Sequence, residues 1–192
     1  MKNYQKRKKN ERKKRVFRPK TKNKPKSLSD MKIYTLKFEQ TIPITLSAAW
    51  AFFSAPHNLA QITPVHMGFV ITSDYSEEQK MYPGMIISYD IAVFKGMRVN
   101  WVTEITHVDE HKYFIDEQRF GPYSFWHHQH HFVETAEGVH MTDIVNYAIP
   151  YGFLGRLVND AFVENEVKKI FRYRKEMIQK LFPGQESTIP TN

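Results

Sequence analysis

The chain contains no cysteine, few glycines and no long apolar run. It has 192 residues, of which 8 are glycine and none is cysteine. Disulfide frameworks, thiolate nucleophiles and cysteine-ligated zinc or iron–sulfur centres are therefore excluded. No segment approaches the roughly 20 apolar residues that a bilayer-spanning helix needs, and no apolar signal region follows the basic start. We expect a soluble cytoplasmic protein without a transmembrane segment.

Acidic side chains are scarce in residues 1–30, which hold 14 lysines and arginines against two carboxylates, whereas residues 31–192 carry a net charge of −4. A block with so little apolar surface is expected to be disordered. Three interpretations stay open. The block is an arm that weakly contacts nucleic acid or an anionic surface through counterion release, a solvated tail without a partner, or sequence upstream of a true start at Met31.

Residues 31–184 carry the pattern of one α+β domain, followed by a flexible C-terminus over 185–192. Apolar side chains alternate from Tyr34 to Ile44, which predicts a half-buried first strand. A first short helix is predicted after Ser47, which serves as its N-cap. A second short helix is predicted to start at Pro56 and to end at Pro64. Six further strands are predicted at 69–74, 85–94, 97–108, 113–120, 124–134 and 139–149, and their short connections indicate antiparallel neighbours.

After Pro150 the apolar residues recur at intervals of three and four up to Leu181, just before Pro183 and Gly184. This spacing predicts a helix of about 29 residues, roughly 43 Å long at the standard rise. Such a helix can cover a whole sheet. The predicted fold is a curved, seven-stranded antiparallel sheet wrapped around the long C-terminal helix, with a space between them.

Hairpin pairing orients the strands, because opposed residues share one face of a sheet. A loop of even length near residue 110 pairs Ile105 with Asp116 and Thr103 with Gln118. The side chains of the strand over 113–120 that face inward are then Phe114, Asp116, Gln118 and Phe120.

The following hairpin extends the same face. A four-residue loop over 135–138 pairs Phe132 with Met141, His130 with Asp143, His128 with Val145 and Trp126 with Tyr147. A three-residue connection over 121–123 places Asp116 opposite His128. A bulge at either loop would invert a row. The prediction is an aromatic and aliphatic inner surface crossed by a polar belt of Asp116, Gln118, His128, His130 and Asp143.

These residues resemble the SRPBCC superfamily, also called START-like or Bet v 1-like, and within it the bacterial ligand-binding or cyclase/dehydrase-like subgroup. The resemblance is carried by Phe114, Asp116, Gln118, Gly121-Pro122-Tyr123, Trp126, His128, His130, Phe132, Thr142-Asp143 and Tyr147, and it covers about residues 32–182. It implies a helix-grip fold with a cavity for a hydrophobic or aromatic small molecule that is lipid-, quinone- or polyketide-like.

The favoured hypothesis is a binder without intrinsic catalysis and without a cofactor, in which a polar patch orients a ligand inside an apolar pocket. Its predicted ligand-binding residues are Trp101, Asp116, Gln118, Trp126, His128, His130, Asp143 and Tyr147. The bland alternative is an internal hydrogen-bond network that only fixes strand register, with aromatic rings that fill the core. Met67, Met81, Met85 and Met97 could form a pliable wall or serve as ordinary core filler.

Three further hypotheses remain. A cyclase or dehydrase would use His128 or His130 as a general base that Asp116 or Asp143 orients. A metal site of His128, His130 and Asp143 has suitable donors but is disfavoured, so no metal is predicted. A macromolecule-binding module would use the basic tail as its arm. The cationic residues of the last helix, Lys168, Lys169, Arg172, Arg174 and Lys175, are assigned to its solvated face.

Overall fold

The structure is a computed structural model that describes residues 32–74, 76, 79–94, 97–150 and 162–184. The basic tail, the alternative start at Met31 and the C-terminal residues 185–192 lie outside the described residues. None of the helices in the described ranges is long and apolar enough to cross a membrane.

Seven strands form a single antiparallel sheet, as the sequence predicted. The strands are β1 (Tyr34–Ile42), β2 (Val70–Ile71), β3 (Ile86–Phe94), β4 (Met97–Asp109), β5 (Tyr113–Phe120), β6 (Phe125–Thr135) and β7 (Gly138–Ala148). Their order across the sheet is β1-β7-β6-β5-β4-β3-β2, so β1 and β2 form the two edges. Every neighbouring pair in this order except β1 and β7 is also consecutive along the chain. Short hairpins join β3 to β7, whereas a longer connection separates β2 from β3. The predicted strand over 69–74 is much shorter than expected.

Helix α1 (Leu46–Phe53) begins at Thr45, whose Oγ1 accepts a hydrogen bond from the backbone N–H of Ala48 at 3.2 Å. The N-cap predicted at Ser47 is therefore wrong by two residues, because the hydroxyl of Thr45 satisfies the first free backbone donors. The second predicted short helix is a 3₁₀ helix (Pro56–Ile62), and another 3₁₀ turn (Val65–Met67) follows it.

Helix α2 (Glu164–Leu181) packs its apolar stripe against the sheet. The predicted helix began near Leu154, and residues 151–161 lie outside the described residues. Val167 and Phe171 of α2 meet the β7 side chains Val145 and Tyr147 in one buried cluster. The ring of Phe171 also stacks on Phe38 of β1, with centroids 4.1 Å apart. Each large apolar side chain buried here stabilises the fold by about 1.5–3 kcal/mol, so the grip of sheet and helix depends on this stripe.

The register of β6 and β7 is the predicted one: His130 lies opposite Asp143 and Trp126 opposite Tyr147. Asp116 of β5 lies opposite His128 of β6, again as predicted. These pairings place alternate residues of three adjacent strands on the inner face of the sheet.

The turn between β4 and β5 differs from the prediction although the central pairs agree. Asp109 pairs with Tyr113, so the loop has three residues rather than an even number, and His111 takes a φ of 64°. A bulge between Ile105 and His107 restores the predicted pairing of Ile105 with Asp116.

Two side chains of the predicted inner rows lie outside the core. A second register shift, between Val102 and Thr103, changes the pairing at the end of β5, and Phe120 is 72% exposed there. The prediction that Phe120 faces inward is therefore wrong, because a bulge reverses the face of the residues beyond it. Met97 at the start of β4 is 49% exposed, so it contributes no wall.

Candidate ligand cavity

A cavity of about 170 Å³ lies between the concave face of the sheet and α2. Three walls line it: β3 to β7, the segment from Phe52 to Met67 with its 3₁₀ helices, and the inner face of α2. Most lining side chains are apolar, including Ile87, Ile91 and Val167. An engineered apolar cavity of about 150 Å³ accepts benzene, so this cavity is large enough for one aromatic ring.

Five of the predicted ligand-binding residues line this cavity: Trp101, Asp116, Trp126, His128 and His130. The rings of Trp101 and Trp126 meet edge to face, with centroids 5.4 Å apart. Met67 and Met81 also line the cavity, whereas Met85 is buried in a neighbouring part of the core.

Two histidines and two aspartates form a compact cluster, which we call the His/Asp cluster. Nε2 of His128 lies 2.9 Å from Oδ1 of Asp143, and its Nδ1 lies 3.3 Å from Oδ2 of Asp116. Nε2 of His130 lies 2.9 Å from Oδ2 of Asp116. Its Nδ1 lies 3.0 Å from Oδ1 of Asp143, but this contact is an ion pair without the alignment of a hydrogen bond. Each histidine thus bridges both carboxylates.

Strand geometry explains why the four residues meet. His128 and His130 are alternate residues of β6 and therefore share its inner face. Asp116 lies on β5 on one side of them and Asp143 lies on β7 on the other. The two imidazoles lie 3.7 Å apart between centroids, and Phe114 stacks on His130 at 4.0 Å. Packed rings and paired carboxylates hold both imidazoles in place.

The electrostatics of the cluster follow from its closeness. Burial raises the pKa of each aspartate, but hydrogen bonds and charge attraction from His128 and His130 outweigh it, so the pKa values of Asp116 and Asp143 lie well below their usual range. Burial lowers the pKa of His128, but the charge and hydrogen bonds of Asp116 and then Asp143 outweigh it, so that pKa is raised. The contacts with the two carboxylates therefore favour the protonated form of His128 relative to a free imidazole.

A protonated His128 can donate a proton or a hydrogen bond but cannot act as a base. A neutral imidazole carries one N–H and one lone pair, and here that lone pair would face a carboxylate. The role of His128 or His130 as a general base stays a prediction.

A metal ion would find its donors on the cavity side of the cluster. Asp116, His128 and His130 offer ligand atoms that lie within 4.8 Å of one another. Asp143, which the sequence placed in the metal set, instead contacts the other nitrogen of each imidazole. A carboxylate in that position commonly orients histidine ligands from behind.

Three predicted ligand-binding residues do not line the cavity. Gln118 braces the turn after β5, because its Nε2 donates to the carbonyl of Tyr123 at 2.8 Å and its Oε1 accepts from the same residue's N–H at 3.2 Å. Asp143 lies behind the histidines and is 3% exposed. Tyr147 is fully buried and stacks on Tyr34 with centroids 5.5 Å apart. Their positions indicate support of the wall rather than contact with a ligand.

The helix wall contains a residue that was predicted to lie in solvent. Arg174 lines the cavity together with Glu166, Ile170 and Phe171. A signal was available in the sequence, because Arg174 follows Val167 by seven residues and Phe171 by three, on the buried stripe of the helix.

Tyr89 and Tyr123 are two further wall residues that were not predicted. Burial raises the pKa values of both hydroxyls, which stay protonated.

Comparison with known proteins supports the fold. No family model matches the chain, and no curated protein matches it. Solved structures with the same architecture include a major latex-like protein of Panax ginseng (13% identity, TM-score 0.59, covering 79% of this chain and 98% of that one). A protein of unknown function from Staphylococcus aureus is similar at 11% identity and TM-score 0.58 (80% and 98% covered). A Mycobacterium smegmatis protein is similar at 18% identity and TM-score 0.56 (77% and 89% covered). These likenesses show a helix-grip fold of the Bet v 1 type.

Proposed function

We propose that this protein binds a hydrophobic or aromatic small molecule in the cavity between the sheet and α2. The observation that carries the proposal is a mostly apolar space between sheet and helix, with Asp116, His128 and His130 on its sheet wall. Small-molecule sites commonly combine an apolar lining with a few well-placed polar groups. A core built only for stability would fill such a space, because voids forfeit packing contacts.

The volume limits what enters. A space of about 170 Å³ suits one aromatic ring or a short aliphatic chain. A lipid-, quinone- or polyketide-like ligand would place one such portion inside, unless side chains move to enlarge the space. The edge-to-face pair of Trp101 and Trp126 offers an aromatic surface for that portion.

Tryptophan fluorescence provides the test, because Trp101 and Trp126 line the cavity. Titration with toluene and hexane, neither of which emits in the tryptophan range, should change the emission saturably. Ile91→Phe places extra volume in the cavity and should weaken binding at least about tenfold, since overpacked sites accommodate less. Val133→Phe is the matched control, because Val133 is 59% exposed on the outer face of β6.

Native mass spectrometry of the purified protein provides a second readout, in which a retained apolar molecule supports the proposal. If neither toluene nor hexane binds and no molecule is retained, the protein is not a binder. Equal binding by the Ile91→Phe and Val133→Phe variants would also contradict the assignment to this cavity.

Acid catalysis is a second candidate, which the paired contacts of His128 support. An imidazole with a raised pKa on the wall of an apolar cavity is suited to donate a proton to a leaving hydroxyl, as a dehydrase would require, while the substrate's α-proton passes to water. Dehydration of a cyclic β-hydroxyketone to its enone and water tests this candidate. The His128→Gln variant should lose turnover but keep the toluene-induced fluorescence change. A variant that turns over normally would exclude His128 as the acid.

Contact between residues 1–30 and nucleic acid or an anionic surface stays a prediction from composition. Deleting those residues should abolish RNA retention that falls steeply with salt. Retention unchanged by the deletion would show that the arm plays no part in it.

A further inference from the structure

Arg174 is a cation on the cavity wall that pairs with no carboxylate among the described residues. It lies on the buried stripe of α2 between Phe171 and Ile178, and its guanidinium carbon lies 4.8 Å from the centroid of the Phe171 ring. Its Nε atom is closed to solvent and has no hydrogen-bond partner. Within the part of the chain that the structure describes, the guanidinium forms no hydrogen bond and no ion pair.

The nearest carboxylates are already engaged elsewhere. Asp116 and Asp143 each contact both imidazoles of the His/Asp cluster, at 2.9 to 3.3 Å. Their charge reaches Arg174 only at longer range. A buried charge is costly unless a partner compensates it. The cavity therefore contains one positive group whose own interactions are incomplete.

A second cleft leads to the same side chain from outside. It has a volume of about 390 Å³ and lies between β1 and α2, with Arg174 shared between it and the cavity. Its lining includes Lys37, Lys168, Arg172 and Lys175 beside the two carboxylates Glu39 and Asp143. Lys37 pairs with Glu39 at 2.7 Å and Lys168 with Glu164 at 2.6 Å, so among the described residues Arg172, Arg174 and Lys175 are the cations of the cleft without an ion pair. Clustered charge of one sign raises the local concentration of oppositely charged ligands. The route to Arg174 thus favours anions.

We propose that the ligand is an organic monoanion whose carboxylate pairs with Arg174 and whose apolar body, about the size of one aromatic ring, fills the cavity. This inference rests on the function proposed above and names the chemical class of that ligand. Arginine presents a planar fork of donors that matches a carboxylate in two parallel hydrogen bonds. A single guanidinium suits a carboxylate better than a phosphate dianion, which needs several donors.

Matched acids and amides test the proposal. Benzoate, phenylacetate and hexanoate are titrated beside benzamide, phenylacetamide and hexanamide, which share their shape but carry no charge. The wild-type protein should bind at least one acid about 10- to 100-fold more tightly than its amide, which is the size expected for a charge-assisted pair. Arg174→Gln should remove this preference by weakening the acid while leaving amide affinity within about threefold.

Two further variants distinguish pairing with the fork of Arg174 from general attraction to a cationic cleft. Arg172→Gln removes an exposed charge from the same cleft and should leave the acid preference within about threefold. Arg174→Lys keeps the charge without the planar fork, so it should retain part of the preference. If Arg174→Gln does not fold, a full preference in Arg174→Lys would still count against recognition by the fork.

The outcomes separate this inference from the proposed function. Toluene or amide binding without any preference for acids would overturn the anion and leave the cavity as a binding site. Equal losses in Arg172→Gln and Arg174→Gln would indicate general attraction and contradict the specific pair. If acids, amides and toluene all fail to bind, both proposals fall.

Discussion

The two walls of the cavity handle charge in opposite ways. On the sheet, two carboxylates and two imidazoles contact one another at 2.9 to 3.3 Å and leave no ring nitrogen without a carboxylate. On α2, the guanidinium of Arg174 lines the same space and pairs with no carboxylate among the described residues, and its carbon lies 4.8 Å from the centroid of the Phe171 ring. The difference separates two roles, because ion-paired groups hold the sheet wall together, whereas a cation without an ion pair is available to a ligand.

Of the substitutions proposed here, removal of one member of the His/Asp cluster should lower the free energy of unfolding most. Asp143→Ala deletes the acceptor of His128 and the ion-pair partner of His130, and it leaves each buried imidazole with one carboxylate, Asp116. Breaking a buried pair in this way costs about 3–5 kcal/mol. Chemical denaturation in urea measures the free energy of unfolding.

Asp109→Ala is the control for this variant. Asp109 pairs with Lys112 at 3.1 Å on the surface, where ion pairs contribute about 0–1 kcal/mol. If Asp143→Ala lowered the free energy of unfolding no more than Asp109→Ala does, the ion pairs of the His/Asp cluster would not stabilise the fold as we describe.

The pH dependence of stability should reflect both the lowered pKa values of the two aspartates and the raised pKa of His128. The lowered pKa values of Asp116 and Asp143 add stability above about pH 4, and this contribution is lost as the pH falls through the folded values. The raised pKa of His128 adds stability that is complete below about pH 6.5 and is lost as the pH rises through its folded value. Stability should therefore be greatest between about pH 4 and 6.5.

Thermal unfolding between pH 3 and 9 measures this profile. His128→Gln should flatten the alkaline side, where one group changes the slope by at most about 1.4 kcal/mol per pH unit. His66→Gln, at an exposed position, should leave the profile unchanged. An alkaline decline that survives His128→Gln would assign the dependence to other groups.

The residues on the sheet wall were predictable because loop length determines which residues of neighbouring strands lie opposite one another. The alternation of apolar residues indicated which side chains of each strand face the core, and the loop lengths then gave the opposed pairs. His130 lies opposite Asp143, as predicted. The β4–β5 turn was nevertheless misjudged, and only the bulge near His107 preserved the pairing of Ile105 with Asp116. A second bulge with no distinct signal in the sequence accounts for the error at Phe120. Register between bulges is therefore readable, whereas the bulges themselves depend on packing.

The helix wall was missed for a different reason. Arg174 was grouped with its cationic neighbours by residue type, although its spacing from Val167 and Phe171 places it on the buried stripe. Angular position on a helix is available from sequence alone. The volume of the cavity was not, because it depends on how side chains from three walls pack together.

The smallest predicted effect bears most directly on the contrast between the walls. If Arg174 is an uncompensated cation in the ligand-free protein, Arg174→Met should stabilise that protein by about 0.5–1 kcal/mol, since an apolar side chain of similar length removes the desolvation cost. The gain is modest because the contact with Phe171 is lost with the charge. Urea denaturation without ligand measures it, and Arg172→Met at the exposed neighbouring position should change stability by less than about 0.5 kcal/mol. Loss of more than about 1 kcal/mol in Arg174→Met would mean that the guanidinium is satisfied within the fold, and the two walls would then have the same role.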